Sequence, residues 1–208
     1  IISKCDLVVN FAAESFVDRS INDANPFLVS NIRGAFTLLD IITKQKKRMV
    51  QISTDEVFGS LSSGTATEES NLNPSSPYAA TKAAAELLIN SYCVTYGSDV
   101  IITRCTNNYV PRQFPEKLIP LCITNAISNK PLPIYGDGKQ TRSFCFVDDL
   151  IGAMLLIMNT DDDFTGPMNI GNPDEFTIQE IAEKIVKLTN SSSQIVFKSL
   201  PEDDPKQR

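Results

Sequence analysis

Three short apolar runs alternate with two helical patterns along the first half of the chain. The runs occupy residues 7–11, 49–53 and 100–103, and small or polar residues bound each of them. Between them, residues 27–42 and 78–96 carry apolar side chains at helical spacing. Short continuous apolar runs are typical of strands buried on both faces, so this order predicts a parallel sheet covered by helices. The predicted fold class is therefore α/β, with a partial doubly wound sheet.

The second half of the chain has a different texture, beginning with an irregular polar stretch after Cys105. We predict a first portion over residues 1–104, which holds most of the sheet, and a mixed portion over 105–208 that can return a strand to it. The elements expected in the second portion are a short helix at 116–128, strands at 130–137 and 142–147 flanking a turn at 136–138, a helix from Asp148, a strand at 168–171, and a helix at 177–188 begun by a capping box of Thr177 and Glu180.

Charge and composition exclude several classes of function. The chain carries 19 basic and 25 acidic residues, and its basic run at residues 44–48 fits a helix end that complements the helix dipole, so no nucleic-acid partner is expected. It has no histidine and no C-x-x-C motif, so the usual zinc ligand sets and any Ser-His or Cys-His nucleophile pair are absent, and no metal is expected. Acid–base chemistry must therefore use carboxylates, tyrosine or lysine.

The cysteines and the hydropathy of the chain indicate in which cellular compartment the protein is found. The five cysteines are odd in number and show no close pairing, which favours buried thiols in a reducing compartment. No apolar run reaches the roughly 20 residues of a membrane span, and the start lacks the pattern of a signal peptide. We interpret the protein as cytoplasmic and without a membrane partner.

Titratable residues are concentrated in two places within residues 51–82. Thr54, Asp55 and Glu56 directly follow a predicted strand, where open parallel sheets bind ligands. Tyr78 and Lys82 are four residues apart at a helix start and therefore lie on one face. An ammonium beside a phenol predicts a lowered phenol pKa and a tyrosine that can act as a base. Each cluster alone also fits a bland alternative, a solvated loop or a surface pair on a helix.

Longer motifs give these clusters a context. They occupy residues 10–15, 17–20, 52–59, 76–82, 107–109, 114–120 and 135–138. In this order they resemble the nucleotide-sugar 4,6-dehydratases of the extended short-chain dehydrogenase/reductase superfamily, over nearly the whole chain. The resemblance implies a Rossmann-like NAD-binding portion, a nucleotide-sugar-binding portion and a homodimer when full length.

The resemblance also assigns roles to the titratable residues. Tyr78 takes the proton of the sugar 4-hydroxyl while hydride leaves C4 for NAD, and Lys82 tunes Tyr78 and holds the nicotinamide ribose. The resulting 4-ketone acidifies the C5 proton, which Glu56 removes while Asp55 protonates the departing 6-hydroxyl. Thr54 hydrogen-bonds the sugar near its 4-hydroxyl.

Binding residues are implied in the same way. Those implied for NAD are Phe11, Ala12, Ala13, Glu14, Ser15, Ser30, Ser53, Tyr78, Lys82, Cys105 and Asn108. Those implied for the nucleotide-diphosphate sugar are Ser15, Thr54, Asn107, Lys117, Leu118, Pro133, Ile134, Tyr135, Arg142 and Arg208. Arg142 suits a diphosphate because its guanidinium makes paired hydrogen bonds, although a surface charge on a strand is the alternative.

Three departures from the family pattern stand out. No G-x-x-G-x-x-G motif occurs in the chain, and nothing before Ile1 supplies the strand, turn and helix that grip the NAD pyrophosphate. We therefore expect a fragment or truncated gene product that binds NAD poorly or not at all. Phe16 replaces a frequent histidine, and Val110 replaces a usual glycine, where a positive φ would strain a β-branched residue.

Rival interpretations stay open at this point. Residues 167–173 and 202–208 resemble the UDP-glucuronate decarboxylases of the same superfamily, in which Ser usually stands at the position of Asp55. Since loss of water needs a proton donor, Asp55 favours the dehydratase over a decarboxylase or epimerase. A non-catalytic nucleotide-sugar binder or truncated remnant is a second rival, and a chain that does not fold alone is a third.

Overall fold

The structure, a computed structural model, describes residues 2–61, 64–159 and 164–199. It divides into two compact units, each with its own core. The first contains the residues up to Cys105 together with Ile151–Ile170, and the second contains residues 106–150 and the chain from Gly171 onward.

Nine strands and seven α-helices are present in the described ranges. The strands are β1 (Leu7–Asn10), β2 (Arg48–Thr54), β3 (Val100–Cys105), β4 (Asn107–Tyr109), β5 (Leu132–Tyr135), β6 (Thr141–Phe146), β7 (Gly166–Ile170), β8 (Glu175–Thr177) and β9 (Ile195–Lys198). The helices are α1 (Val17–Asn22), α2 (Asn25–Phe27), α3 (Ala35–Gln45), α4 (Pro77–Tyr96), α5 (Leu118–Ile127), α6 (Val147–Met158) and α7 (Ile178–Leu188).

The first unit is built on a parallel sheet with the strand order β1-β2-β3-β7. All six residues of β3 are buried, as expected for a central strand covered on both faces. Side chains of α3, α4 and the first three strands form one core, which includes Leu39, Ile42, Met49, Ile89, Val100 and Ile102. The predicted α/β class with a parallel sheet is confirmed.

The helical pattern at residues 27–42 is not one regular helix. Between α2 and α3 the chain forms a π-helix over Leu28–Gly34, and α3 ends at Gln45 and is capped by Lys46, which has a left-handed φ of 52°. Apolar spacing does not reveal a π-helix, because its wider turn shifts the register by a single residue. The predicted helix at 78–96 is present as α4, which Ser76 caps and Gly97 ends in the left-handed conformation.

The second unit contains two small sheets and the helices α5 and α7. Strands β4, β6 and β8 form one sheet, and β5 pairs with β9 in parallel. The two strands predicted to flank the turn at 136–138 are present as β5 and β6, and they are not paired with each other. Each takes a partner from farther along the chain, which a local turn pattern cannot specify. The core of this unit includes Cys122, Leu132, Ile134, Ile178 and Ile185.

The start of α7 is formed by the predicted capping box. The Thr177 main-chain N–H donates to the Glu180 carboxylate at 2.7 Å, and the Glu180 N–H donates to the Thr177 hydroxyl at 3.1 Å. These reciprocal bonds satisfy two amides that the first turn leaves without helical partners.

The described ranges can also be compared with the expectations for disulfides, metal-binding groups and membrane-spanning helices. No disulfide joins the five cysteines, of which Cys105, Cys122 and Cys145 are buried. Within these ranges, no group of three histidine, cysteine or carboxylate side chains is arranged to hold a metal. None of the helices described is both long and apolar enough to cross a membrane.

Candidate active site

The first cluster begins where β2 ends. Thr54 is the last residue of β2 and the N-cap of a short 3-10 helix, Asp55–Phe58. Its hydroxyl accepts a hydrogen bond from the Glu56 main-chain N–H and donates one to the Asp55 carboxylate, both at 3.2 Å. Thr54 is buried, whereas the two carboxylates are half-buried at the carboxyl end of the sheet.

Tyr78 lies in the first turn of α4 and is 9% exposed. Its main-chain N–H donates to the hydroxyl of Ser20 at 3.1 Å, and that hydroxyl in turn donates to the carbonyl oxygen of Val17 at 2.6 Å. The ring packs edge-on against Phe27, with centroids 6.4 Å apart. The backbone and the ring of Tyr78 are therefore both fixed by residues near α1 and α2.

The phenol of Tyr78 joins the two predicted clusters. Its hydroxyl forms a hydrogen bond with Thr54 and lies within electrostatic reach of Glu56, Asp55 and Cys105. Burial and then the Glu56 charge raise the pKa of Tyr78 above its ordinary value, although the Thr54 hydrogen bond opposes the rise. The expectation of a lowered pKa is therefore wrong for these surroundings, because desolvation disfavours the phenolate.

Lys82 follows Tyr78 by one helical turn and is also buried. Its Nζ donates to the carbonyl oxygen of Ile52 on β2 at 2.6 Å. Burial lowers the pKa of Lys82 to about 8, although the Glu86 carboxylate and the Cys105 thiol act in the opposite direction. Lys82 is thus held against the strand that leads into Thr54, and it titrates close to neutral pH.

The loop after β1 contains the first residues implied for NAD. Phe11 is 64% exposed and Ala12 is exposed, whereas Ala13 and Glu14 are half-buried. Asn31, in the π-helix, accepts from the Glu14 main-chain N–H at 2.9 Å and donates to the Glu14 carbonyl oxygen at 3.0 Å. An ordered loop that exposes a ring and small side chains at the carboxyl end of a parallel strand fits a dinucleotide.

Asn31 also connects the loop after β1 to α4, the helix that carries Tyr78. Its amide nitrogen donates to the Thr81 hydroxyl at 3.0 Å, and Thr81 donates to the carbonyl oxygen of Tyr78 at 2.7 Å. Sequence reasoning missed Asn31 and Ser20 and selected the neighbouring Ser30, which is half-buried. Asn31 lies four residues from both Phe27 and Ala35, which are buried, so the spacing indicated that this polar side chain is buried on the same helix face.

Replacing Asn31 with leucine is expected to destabilise the first unit by about 3 kcal/mol, because buried polar groups of Glu14 and Thr81 lose their partner. Denaturant unfolding of the complete gene product measures this change. Asn22→Leu, at an exposed position in α1, is the matched control and should shift the free energy of unfolding by less than about 0.5 kcal/mol. Equal losses in both variants would contradict this role of Asn31.

Among the residues predicted in the second unit, Asn107 and Asn108 lie on β4. Gln113 donates to the Asn108 main-chain carbonyl oxygen at 2.9 Å. The side-chain oxygen of Asn108 is buried and accepts no hydrogen bond within the described part of the chain, so it can accept one from a ligand. The backbone of Val110 is not left-handed, so the strain anticipated there is absent.

The other residues implied for the nucleotide differ in exposure. Tyr135 is exposed, Lys117, Leu118 and Pro133 are half-buried, and Ile134 is buried in the core of the second unit. Arg142, also half-buried, donates from Nη1 to the carbonyl oxygen of Thr141 at 2.7 Å. Arg208 lies outside the described residues. The side chain of Ile134 therefore serves the core, and only its main chain is left for a ligand.

A family model described as GDP-mannose 4,6 dehydratase matches residues 1–205. The chain belongs to this family. It is therefore a member of the extended short-chain dehydrogenase/reductase superfamily, as its motifs indicate.

Individual relatives agree with this assignment. A dTDP-glucose 4,6-dehydratase of Streptomyces niveus is 43% identical over 189 residues, which are 90% of this chain and 56% of the relative. The structure of DesIV, a dTDP-glucose 4,6-dehydratase from Streptomyces venezuelae with NAD and TYD bound, superposes with a TM-score of 0.90 at 41% identity, over 97% of this chain and 63% of DesIV. The chain spans less than two thirds of the length of the curated relatives that it matches first.

A structure with another activity is equally similar in fold. The UDP-glucuronic acid 4-epimerase from Bacillus cereus, in complex with UDP-glucuronic acid and NAD, gives a TM-score of 0.91 at 32% identity, over 99% of this chain and 66% of the epimerase. Similarity of fold therefore does not separate dehydratase from epimerase, and the residues of the site must do so.

Proposed function

We propose that this chain carries the acid–base site of an NAD-dependent NDP-glucose 4,6-dehydratase, which converts NDP-glucose into NDP-4-keto-6-deoxyglucose and water. The observation that supports this most is the grouping of the Tyr78 phenol with Thr54, Asp55 and Glu56. A base for oxidation and two carboxylates for elimination are thereby available in one cluster.

Oxidation at C4 is assigned to Tyr78, which takes the proton of the sugar 4-hydroxyl as a hydride leaves C4. NAD, when bound, supplies a positive charge and accepts and later returns that hydride. Since burial and Glu56 raise the pKa of Tyr78, proton removal from the phenol depends on added positive charge nearby. Lys82 contributes to this charge when it is protonated, and Thr54 orients the phenol.

Elimination of water is assigned to the two carboxylates. The 4-ketone acidifies the C5 proton, Glu56 removes it, and Asp55 gives a proton to the 6-hydroxyl as the C6–O bond breaks and the C5–C6 double bond forms. Hydride then returns to C6 and a proton to C5, so that water is the only net loss. Asp55 is the residue that separates this reaction from decarboxylation or epimerisation, because neither of these protonates a leaving hydroxyl.

Binding roles follow the same proposal. The loop at Phe11–Ser15, with Ser30, Ser53, Cys105 and Asn108, contributes to the NAD site. The charges of Lys117 and Arg142 complement the nucleotide diphosphate. Resemblance to the family supports a homodimer of the full-length protein. Five cysteines that form no disulfide support a reducing compartment such as the cytoplasm.

The proposal is tested by incubating the complete gene product with NAD and each of the dTDP, UDP, CDP and GDP forms of glucose, and separately with UDP-glucuronate. Mass spectrometry should show the loss of one water from at least one NDP-glucose, with no net NADH formed. UDP-glucuronate should keep its carboxyl group. Recovery of NDP-glucose without loss of water, despite binding, would favour the non-catalytic binder and contradict the dehydratase.

A further inference from the structure

A buried ion pair lies next to the Thr54–Glu56 segment and has no role in the reaction described above. Glu86 on α4 is fully buried, and Arg104 on β3 is 4% exposed. Arg104 donates to the same Glu86 oxygen from Nε at 3.0 Å and from Nη2 at 2.7 Å. Replacing a buried ion pair with apolar residues often leaves a protein equally stable, so stability alone does not explain this one.

The pair holds the residue that precedes Thr54. The Ser53 hydroxyl donates to the second oxygen of Glu86 at 2.5 Å, so each carboxylate oxygen of Glu86 has a separate partner. Ser53 is buried and lies on β2 directly before the catalytic segment. The entry into Thr54–Glu56 is thereby tied to α4 and β3.

The same pair holds the residue on the other side of the segment. The Arg104 guanidinium lies over the ring of Phe58, 4.8 Å from its centroid. Phe58 is the last residue of the 3-10 helix that carries Asp55 and Glu56. The third guanidinium nitrogen, Nη1, donates to the carbonyl oxygen of Glu68 at 3.0 Å. This bond anchors the loop whose Ala66 and Leu72 pack against the cluster of Val57, Phe58 and Ala83.

We infer that the Glu86–Arg104 pair is a positioning device for the elimination step, because it fixes Thr54–Glu56 from both ends through Ser53 and Phe58. The inference rests on the proposed function. The backbone and ring of Tyr78 are held by Ser20 and Phe27, and only its hydroxyl contacts the segment, through Thr54. Loosening the pair therefore displaces the two carboxylates more than the oxidising base. A displacement of about 1 Å at a reacting group lowers a rate by up to about a hundredfold.

The test variant is Arg104→Lys, which keeps the positive charge but cannot bond Glu86, Glu68 and Phe58 at once. Arg48→Lys is the matched control, because Arg48 donates from Nε to Asp99 at 2.8 Å at the opposite end of the same sheet. The complete gene product is mixed with NAD and NDP-glucose in single-turnover experiments, and the rise and decay of NADH absorbance are followed. Glu86 is left unchanged because its charge also acts on Lys82.

Arg104→Lys is expected to slow the decay of NADH about tenfold or more relative to its formation, so that the oxidised intermediate accumulates. Arg48→Lys should leave the ratio of the two rates unchanged. If Arg104→Lys does not fold, Phe58→Leu removes the contact of the guanidinium with the 3-10 helix and should change the ratio in the same direction. An unchanged ratio in the folded variants would overturn the inference, whereas a wild-type protein that releases no water from NDP-glucose would overturn the proposed function instead.

Discussion

Replacing Tyr78 with phenylalanine is expected to lower the rate of C4 oxidation by about a thousandfold, because a positioned general base contributes about that much to proton transfer. The ring keeps its edge-on contact with Phe27, so only the hydroxyl and its hydrogen bond with Thr54 are lost. The free energy of unfolding should therefore fall by only about 1 kcal/mol. Single-turnover formation of NADH from NAD and NDP-glucose measures the rate.

The same helix offers a matched control. Tyr92 lies on α4, where its ring contacts Phe36 and Tyr96. Tyr92→Phe makes the identical chemical change away from Thr54 and should leave the rate of NADH formation within about twofold of wild type. A Tyr78→Phe variant that forms NADH at the wild-type rate would remove Tyr78 from the mechanism.

Replacing Lys82 with methionine should abolish most of the activity and at the same time stabilise the protein. Burial lowers the pKa of Lys82 from 10.5 to about 8, so at pH 7 the folded state holds a charged group in unfavourable surroundings, at a cost of about 3 kcal/mol. Methionine removes this cost but loses the bond from Nζ to Ile52. The Ile52 carbonyl oxygen keeps the bond that Gln51 Nε2 donates at 3.1 Å, so we expect a net gain of about 2 kcal/mol.

The pH dependence of this gain has a definite sign. Below pH 8 lysine is charged in both the folded and the unfolded states, and the full cost is present. As the pH rises from about 8 to 10.5, the folded state releases its proton before the unfolded state does, and wild-type stability rises by about 3 kcal/mol. Thermal melts of the wild-type and Lys82→Met proteins across this range should therefore converge and then cross, because this rise exceeds the difference of about 2 kcal/mol at pH 7. A constant difference in melting temperature would show that the charge is not responsible.

The parts of the fold that were predictable depend on local patterns. The apolar runs identified β2 and β3, helical spacing identified α4, and the capping box of Thr177 correctly marked the start of a helix. The pairing of β5 with β9 was not predictable, because the partners are about sixty residues apart and no turn joins them. The π-helix was missed because helical spacing does not distinguish it from an α-helix over so short a length.

The candidate site shows the same division. Tyr78 and Lys82 were predicted from their spacing on one helix, and Thr54–Glu56 from a strand end followed by carboxylates. The spacing of Asn31 from Phe27 and Ala35 indicates a buried position, but its partner is 50 positions away, and one sequence does not identify such a partner. The pKa of Tyr78 was predicted with the wrong sign, since the charge of Lys82 was visible in the sequence whereas the desolvation of the phenol was not.

The π-helix at Leu28–Gly34 also affects how related sequences should be aligned with this one. Removing a single residue there would allow a continuous α-helix from α2 into α3, with regular hydrogen bonding throughout. The same deletion would rotate one flank of the segment by about 100° and turn Asn31 away from Glu14 or from Thr81. We therefore expect that a relative aligned with a one-residue gap at this point lacks the Asn31 link between loop and helix, even when every acid–base residue is identical.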